Sequence, residues 1–309
     1  MFEDKRVLAI VNPSSGTGVA EELAAAISPF VMDQGGRDCV TRLTRGPSDA
    51  TTWARDAAER GFDLVLAAGG DGTVTAVATG IFHASNRLPI GILPLGTGNG
   101  LARVLELPLE PLETLQALAG GKLVDLDVIE LTSHDLVSLL FFGAGLDANI
   151  NRDADGEQKA RFGWLAYLKA TFSNIRGVKN HDLTLTLDGR VEKLRGHTVS
   201  AFNATHMRFL GVQVGPDAQP HDGVMSVAVL RSTNVFVTVA QLLRLVNRSA
   251  SRTELTAATD LRLAAFPDLP VQVDGDVVGE TPVEARLRPA AVAFIADAGY
   301  QSRRADAGT

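Results

Sequence analysis

The stretch Leu64-Val65-Leu66-Ala67-Ala68-Gly69-Gly70-Asp71-Gly72-Thr73-Val74 limits the fold of this chain more than any other. An apolar run ends in two glycines, one carboxylate, a third glycine and a threonine, and apolar residues resume from Val74 to Val77 at helical spacing. The pattern predicts a buried strand, a tight loop and a helix start. Backbone without side chains at a helix N-terminus can approach a phosphate and donate N–H groups to it. An acid in the same loop would repel phosphate unless a metal ion or a proton transfer employs it. Asp71 is therefore a candidate for one of those two tasks.

Similar units surround this one. Val7 to Val11 stops at Asn12-Pro13-Ser14-Ser15-Gly16-Thr17-Gly18, and Ile90 to Leu93 stops at Pro94-Leu95-Gly96-Thr97-Gly98-Asn99-Gly100. Val40 to Leu43 reads as a further strand. Helical spacing covers Val19–Val31, Asp49–Ala58, Val74–His83, Leu101–Leu105 and Leu112–Leu118. Strands alternating with helices imply an α/β domain with a parallel sheet and helices on both faces. Ligands of such sheets sit beyond the carboxyl ends of the strands. The loops at Asn12, Gly69 and Pro94 each follow a strand, so all three belong on one rim.

After Gly120-Gly121 the pattern changes, which places a first domain at 1–122 and a β-rich second domain at 123–309. Strands are expected at Leu123–Leu131, Leu136–Phe142, Val199–Ala204, Met225–Leu230, Arg262–Ala265, Val271–Val273 and Ala291–Ile295. Leu183, Leu185 and Leu187 alternate with Thr184 and Thr186 before Asp188-Gly189, the signature of a half-buried antiparallel hairpin. The expected architecture is a mostly antiparallel β-sandwich, interrupted by helices near 157–178 and 235–247. The last residues either return to the first domain or fray.

Composition excludes several function classes. A formal net charge of −7 gives no support to nucleic-acid binding. The one cysteine, Cys39, allows no intrachain disulfide and fits a reducing, cytoplasmic compartment. No apolar stretch is long enough for a transmembrane helix, so any membrane contact is expected to be peripheral. The six histidines show no His-Glu-x-x-His spacing, and the lysine-ended phosphate loop, a full Gly-x-Gly-x-x-Gly and a Gly-x-Ser-x-Gly elbow are all missing.

Asn12-Pro13-Ser14-Ser15-Gly16, Gly69-Gly70-Asp71-Gly72-Thr73 and Pro94-Leu95-Gly96-Thr97-Gly98-Asn99, in that order and spacing, resemble the diacylglycerol kinase catalytic-domain family of bacterial lipid kinases and sphingosine kinases. The resemblance continues through Gly143-Ala144-Gly145-Leu146-Asp147-Ala148, Phe162-Gly163-Trp164-Leu165-Ala166-Tyr167-Leu168, Pro216-Asp217-Ala218 with Asp222-Gly223, and Val273-Asp274-Gly275-Asp276 with Thr281-Pro282. It implies an ATP- and Mg²⁺-dependent kinase that phosphorylates the free hydroxyl of a lipid, diacylglycerol or sphingosine-like, in an interdomain cleft. The same resemblance implies contacts to ATP from Asn12, Ser14, Ser15, Gly16, Thr44, Gly69, Gly70, Asp71, Gly72, Thr73, Val74 and Thr75. Gly96, Thr97, Gly98 and Asn99 join them. Asp71 would organise Mg²⁺ through water, and Asp276 or Asp71 would accept the hydroxyl proton. A structural metal would use Asp222 and the carbonyls of Gln219 and Val224. The family admits a homodimer.

Three departures from the family pattern fall near this chemistry. Thr75-Ala76 stands where Asn-Glu is common, Asn99-Gly100 where Asn-Asp is common, and Asp276 replaces a glutamate. They keep open a non-catalytic nucleotide or lipid sensor, and the shared Gly69–Thr73 loop keeps open an NAD-kinase-like small-molecule kinase. Residues 157–180 carry Lys159, Arg161, Lys169, Arg176 and Lys179 against Glu157. This predicts a helix with a basic face, suited either to solvent or to an anionic membrane surface.

Overall fold

The strand at the centre of the first sheet is Leu64–Gly69, every residue of which is buried. In chain order the first elements are β1 Arg6–Val11, α1 Val19–Asp33, β2 Asp38–Leu43, α2 Asp49–Asp56, β3 Leu64–Gly69, α3 Asp71–Phe82, β4 Ile90–Pro94, α4 Gly100–Val104 and α5 Pro111–Ala119. A computed structural model describes residues 1–16, 18–145, 179–205, 207–209, 212–214, 218–232 and 255–301. The chain divides into two compact units, one holding Met1–Asp127 and the returning segment from Pro289, the other Val128–Arg288.

In the first unit the strands run β2-β1-β3-β4, all parallel. The inner strands β1, β3 and β4 are near-continuous apolar runs because a parallel sheet is covered on both faces, whereas the edge strand β2, Asp38–Leu43, is only partly buried. Leu8, Ile10, Leu64, Leu66, Ile90 and Ile92 are almost completely buried, each contributing about 2 kcal/mol of apolar transfer energy. Helix α1 turns Ala20, Leu23, Ile27 and Val31 inward at the 3.6-residue period. Helix α3 starts three residues earlier than its apolar pattern predicts. The Thr73 and Val74 amides both donate to the Gly70 carbonyl, at 3.0 and 3.1 Å, so Asp71, Gly72 and Thr73 form the first helical turn.

The next elements are β5 Lys122–Leu131, β6 Leu136–Ser138, β7 Phe141–Gly145, β8 His181–Leu187, β9 Arg190–Gly196, β10 Thr198–Phe202, β11 Met207–Phe209 and β12 Val212–Val214. They are followed by β13 Met225–Leu230, β14 Leu255–Ala258, β15 Asp260–Phe266, β16 Pro270–Val273, β17 Asp276–Glu280 and β18 Val283–Ala296. In the second unit one antiparallel sheet has the order β14-β13-β10-β7-β16-β17. A second antiparallel layer sets β9 beside β8, β8 beside β15, and β15 beside the first half of β18. Phe142, Val199, Val227 and Val271 from the first sheet share one core with Leu185, Leu263, Val283 and Leu287 from the second. The expected single strand Leu136–Phe142 is split in two, because Leu139 and Leu140 turn their amides to a side chain rather than to a neighbouring strand.

The expected strand Ala291–Ile295 is the end of the 14-residue β18 and belongs to the first unit, where Phe294 lies opposite Ile90 of β4 in parallel register. Its first half alternates buried and exposed residues, as a half-covered antiparallel strand does. After Pro289 and the left-handed Ala290 (φ 46°) it becomes mostly buried. The expected helices 157–178 and 235–247 lie outside the described residues. Among the described residues no helix is long and apolar enough to cross a membrane.

Candidate nucleotide and metal site

The carboxyl ends of β1, β3 and β4 bring three loops to one rim of the first unit. Asn12 links the first two: its amide nitrogen donates to the Ala68 carbonyl at 2.8 Å, and its side-chain Nδ2 donates to Thr73 Oγ1 at 3.0 Å. Its Oδ1 accepts the Ser14 N–H at 3.0 Å, which curls the following residues back over the strand end. Ser15 and Gly16 continue that loop, and a Cβ at Gly16 would come within 3.0 Å of the Leu95 carbonyl, so the first loop also meets the third. Thr44 follows β2 and donates its N–H to the Val11 carbonyl at 2.9 Å, placing it beside Asn12.

The second and third loops are in backbone contact. A Cβ on Gly96 would lie 2.6 Å from the Cα of Gly70, so position 96 cannot carry a side chain without separating the loops. Asn99 closes the third loop on itself: Oδ1 accepts the Gly96 N–H at 2.9 Å and Nδ2 donates to the Gly96 carbonyl at 2.7 Å. It does so from a left-handed backbone (φ 50°), which asparagine tolerates better than other side chains. Thr97 and Gly98 at the tip are exposed.

Asp71 sits where these loops converge. Its Oδ1 accepts the Gly100 N–H at 2.7 Å, across 29 residues of sequence. Its Oδ2 lies where only glycine at 98 leaves room, since a Cβ there would be 2.7 Å away. Gly72 is exposed beside it, Thr75 is half-buried one turn along, and Val74 packs inward. Arg103, which sequence reasoning missed, reaches back from α4 and donates Nε to the Gly98 carbonyl at 3.0 Å. An exposed guanidinium therefore accompanies the glycine loop, in a position suited to an anion. Its signal was the basic residue one turn into the helix that follows the loop.

The remaining predicted residues belong to the second unit. Asp222 is exposed, its Oδ1 accepts the Val224 N–H at 3.1 Å, and its own N–H points at the Gln219 carbonyl at 3.4 Å. The three form one turn leading into β13. Among the described residues no group of three or more His, Cys, Asp or Glu converges as a metal cluster. Asp276 is exposed at the start of β17, opposite Val273 of β16. The neighbouring Asp274 was named in the sequence only as part of a motif. It proves the more heavily bonded carboxylate, accepting the Ser138 hydroxyl and the N–H groups of Leu139, Leu140 and Phe141.

A doubly layered α/β unit with glycine loops on its carboxyl rim, and a separate antiparallel β-sandwich, define a two-unit nucleotide-type fold. Residues 6–131 match the diacylglycerol kinase catalytic domain, and residues 141–296 match the YegS C-terminal NAD kinase beta sandwich-like domain. The chain belongs to the diacylglycerol kinase catalytic-domain family, whose members are lipid kinases. It is 28% identical over 287 residues to a diacylglycerol kinase of Bacillus subtilis (strain 168), covering 91% of this chain and 92% of that protein. It is 26% identical over 286 residues to a diacylglycerol kinase of Staphylococcus saprophyticus, covering 90% and 91%. The crystal structure of a diacylglycerol kinase from Bacillus anthracis str. Sterne superposes with a TM-score of 0.77 at 24% identity, covering 95% of this chain and 97% of that one, which establishes the shared fold.

Proposed function

We propose that this lipid kinase transfers the γ-phosphoryl group of ATP to the free hydroxyl of diacylglycerol, at the membrane surface where that lipid resides. The observation that carries this reading is the Asp71–Gly100 bond within a rim otherwise made of backbone and small side chains. Such a rim suits a polyphosphate: loops bare of side chains, a helix start at Gly70, and Arg103 alongside. The lipid oxygen attacks the γ-phosphorus, the bond to the β–γ bridging oxygen breaks, and ADP leaves. The hydroxyl proton passes to a carboxylate, Asp276 or Asp71.

The residues around Asp71 fit a hard divalent cation. Asp71 Oδ2 lies beside Gly98, which has no side chain to cover it, and Mg²⁺ prefers one or two carboxylates with the rest of its shell water and phosphate oxygen. Bound there, Mg²⁺ would neutralise phosphate charge. Asp222 with the Gln219 and Val224 carbonyls supplies an all-oxygen donor set for a second, structural cation.

The test is incubation with radiolabelled ATP and Mg²⁺ in three arms: vesicles containing diacylglycerol, vesicles containing sphingosine, and NAD in solution. Label in phosphatidic acid is the expected result. Label on NAD and on no lipid would identify an NAD-kinase-like enzyme instead. ATP binding without any phosphorylated product would identify a sensor.

A further inference from the structure

On β16 the alternation of side chains sends Val271 and Val273 into the sandwich core and Gln272 to the opposite face of the sheet. That face is no solvent surface at this point, since Gln272 is completely buried. Its row runs across the sheet through Gly143 of β7, Ser200 of β10 and Ala228 of β13, all small and all buried. An amide in such a place needs partners for both ends of its head group.

One end has its partner: Oε1 accepts the Gly275 N–H at 2.8 Å. This bond also fixes which way the amide faces, because a flipped head group would set NH₂ against N–H. Nε2 is therefore the other end, and it has no hydrogen-bond partner among the described residues. Gly143, next to it in the row, carries no side chain that could accept, and Ser200 stands a further strand away. Leucine or methionine would pack at this position without leaving a donor bare, so the amide costs the fold stability that an apolar side chain would not.

The surroundings of this donor limit what can reach it. Water is kept out, so an acceptor has to arrive on a molecule that is itself apolar. Gly275 lies in the turn between β16 and β17, so the amide head group sits beside that turn. We propose that Gln272 is a specificity-determining residue for the lipid: its Nε2 donates to an ester carbonyl of the glycerol backbone. This rests on the reading of diacylglycerol as the substrate, in which the ester carbonyls lie a few bonds from the free hydroxyl. A dialkylglycerol carries the same hydroxyl and the same chains, but has ether oxygens in place of the esters. Sphingosine has no carbonyl at all. Either lipid leaves the donor unpaired in a dry site, the situation in which a polar contact discriminates most.

The experiment compares dioleoylglycerol with the dialkyl ether of equal chain length, each presented in the same mixed micelles with radiolabelled ATP and Mg²⁺. Wild type and Gln272→Met are assayed side by side. Wild type is expected to favour the ester lipid by about 10- to 100-fold in kcat/KM, the range for one buried donor left unpaired. Gln272→Met fills nearly the same volume without a donor, and is expected to bring the two lipids within about threefold of each other. The variant also gives up the bond to Gly275, but a loss from that source lowers both rates alike and leaves the ratio to report the donor. The wild-type ratio needs no variant, so the inference stays open to refutation even where Gln272→Met does not fold. Equal kcat/KM for ester and ether in wild type overturns it, as does an ester preference that survives Gln272→Met. Label on sphingosine or NAD, with none on either glycerolipid, overturns the diacylglycerol reading itself. Equal label on both glycerolipids leaves that reading standing and removes only the role of Gln272.

Discussion

The Oδ1 of Asp71 accepts the backbone N–H of Gly100 at 2.7 Å, and this single bond joins the loop after β3 to the helix after β4. Position 100 is a glycine, and its amide proton is what it offers the carboxylate. Asp71 is thus oriented by backbone. Asp71→Asn keeps one acceptor oxygen but loses the charge, so kcat should fall by about 10²-fold or more while the fold persists. Gly98→Ala should approach the same loss by displacing Oδ2, at nearly unchanged melting temperature, because the atom a Cβ would meet ends a rotatable side chain. Steady-state kinetics beside thermal melts check both.

Gly96→Ala should behave differently. Its Cβ would meet the Gly70 backbone at 2.6 Å, where nothing can rotate away. The loops must part, at a cost of about 1–3 kcal/mol in stability. Asn99→Ala removes both bonds to Gly96 and strains a left-handed residue, for about 2–3 kcal/mol together. Asn99→Gly loses the bonds but not the backbone freedom and should recover about 1 kcal/mol of that. Urea titrations of the three variants resolve the order.

Burial holds the His197 pKa below its ordinary 6.5, with the nearby His181 acting in the same direction and the hydrogen bond to the Ser232 carbonyl opposing both. The ring is neutral in the fold: Nε2 lies 3.0 Å from that carbonyl and must donate, leaving Nδ1 to accept from Thr198 Oγ1 at 2.9 Å. Above pH 6.5 folded and unfolded chains bind the same protons at this site. As pH falls below 6.5 the unfolded chain takes up a proton that the folded chain refuses, so stability drops until the folded pKa is passed. His197→Gln should flatten that part of the stability–pH curve relative to wild type, measured by denaturant melts from pH 7.5 to 5.

Burial, aided by the charge of Asp38, raises the Cys39 thiol from 9.0 to about 11. The thiolate is the reactive form, so alkylation at pH 8 should be about 100-fold slower than for a free thiol. Unfolding in guanidinium should restore the ordinary rate, and iodoacetamide labelling followed by mass spectrometry measures it. Between pH 9 and 11 the folded chain keeps a proton that the unfolded chain loses, so stability at this site falls as pH rises.

The first unit was readable because β1, β3 and β4 are apolar runs ended by turn residues, and Leu64–Gly69 is the clearest of them. The three rim loops followed from topology alone. What could not be read were contacts that depend on distance between backbones, such as Gly70 against Gly96, and bonds whose donors are amides, such as Gly100 to Asp71. Composition is silent about both. Asp274 escaped for a related reason: Asp-Gly is common in this chain, and a turn that merely bends cannot be told from one whose acid fills an amide nest. The length of β18 was hidden by Pro289 and Ala290, which look like an ending but are a kink. Yet its last residues were apolar without alternation, the mark of a strand covered on both faces rather than one.

That last strand sets an order of events at the ribosome. Arg87 Nη1 bonds the Ala291 carbonyl across 204 residues, and Phe294 completes the pairing of Ile90. The amino-terminal unit therefore emerges with the β4 edge of its sheet still bare. It stays so while the whole of the second unit is translated, and closes only when residues 291–296 have left the exit tunnel.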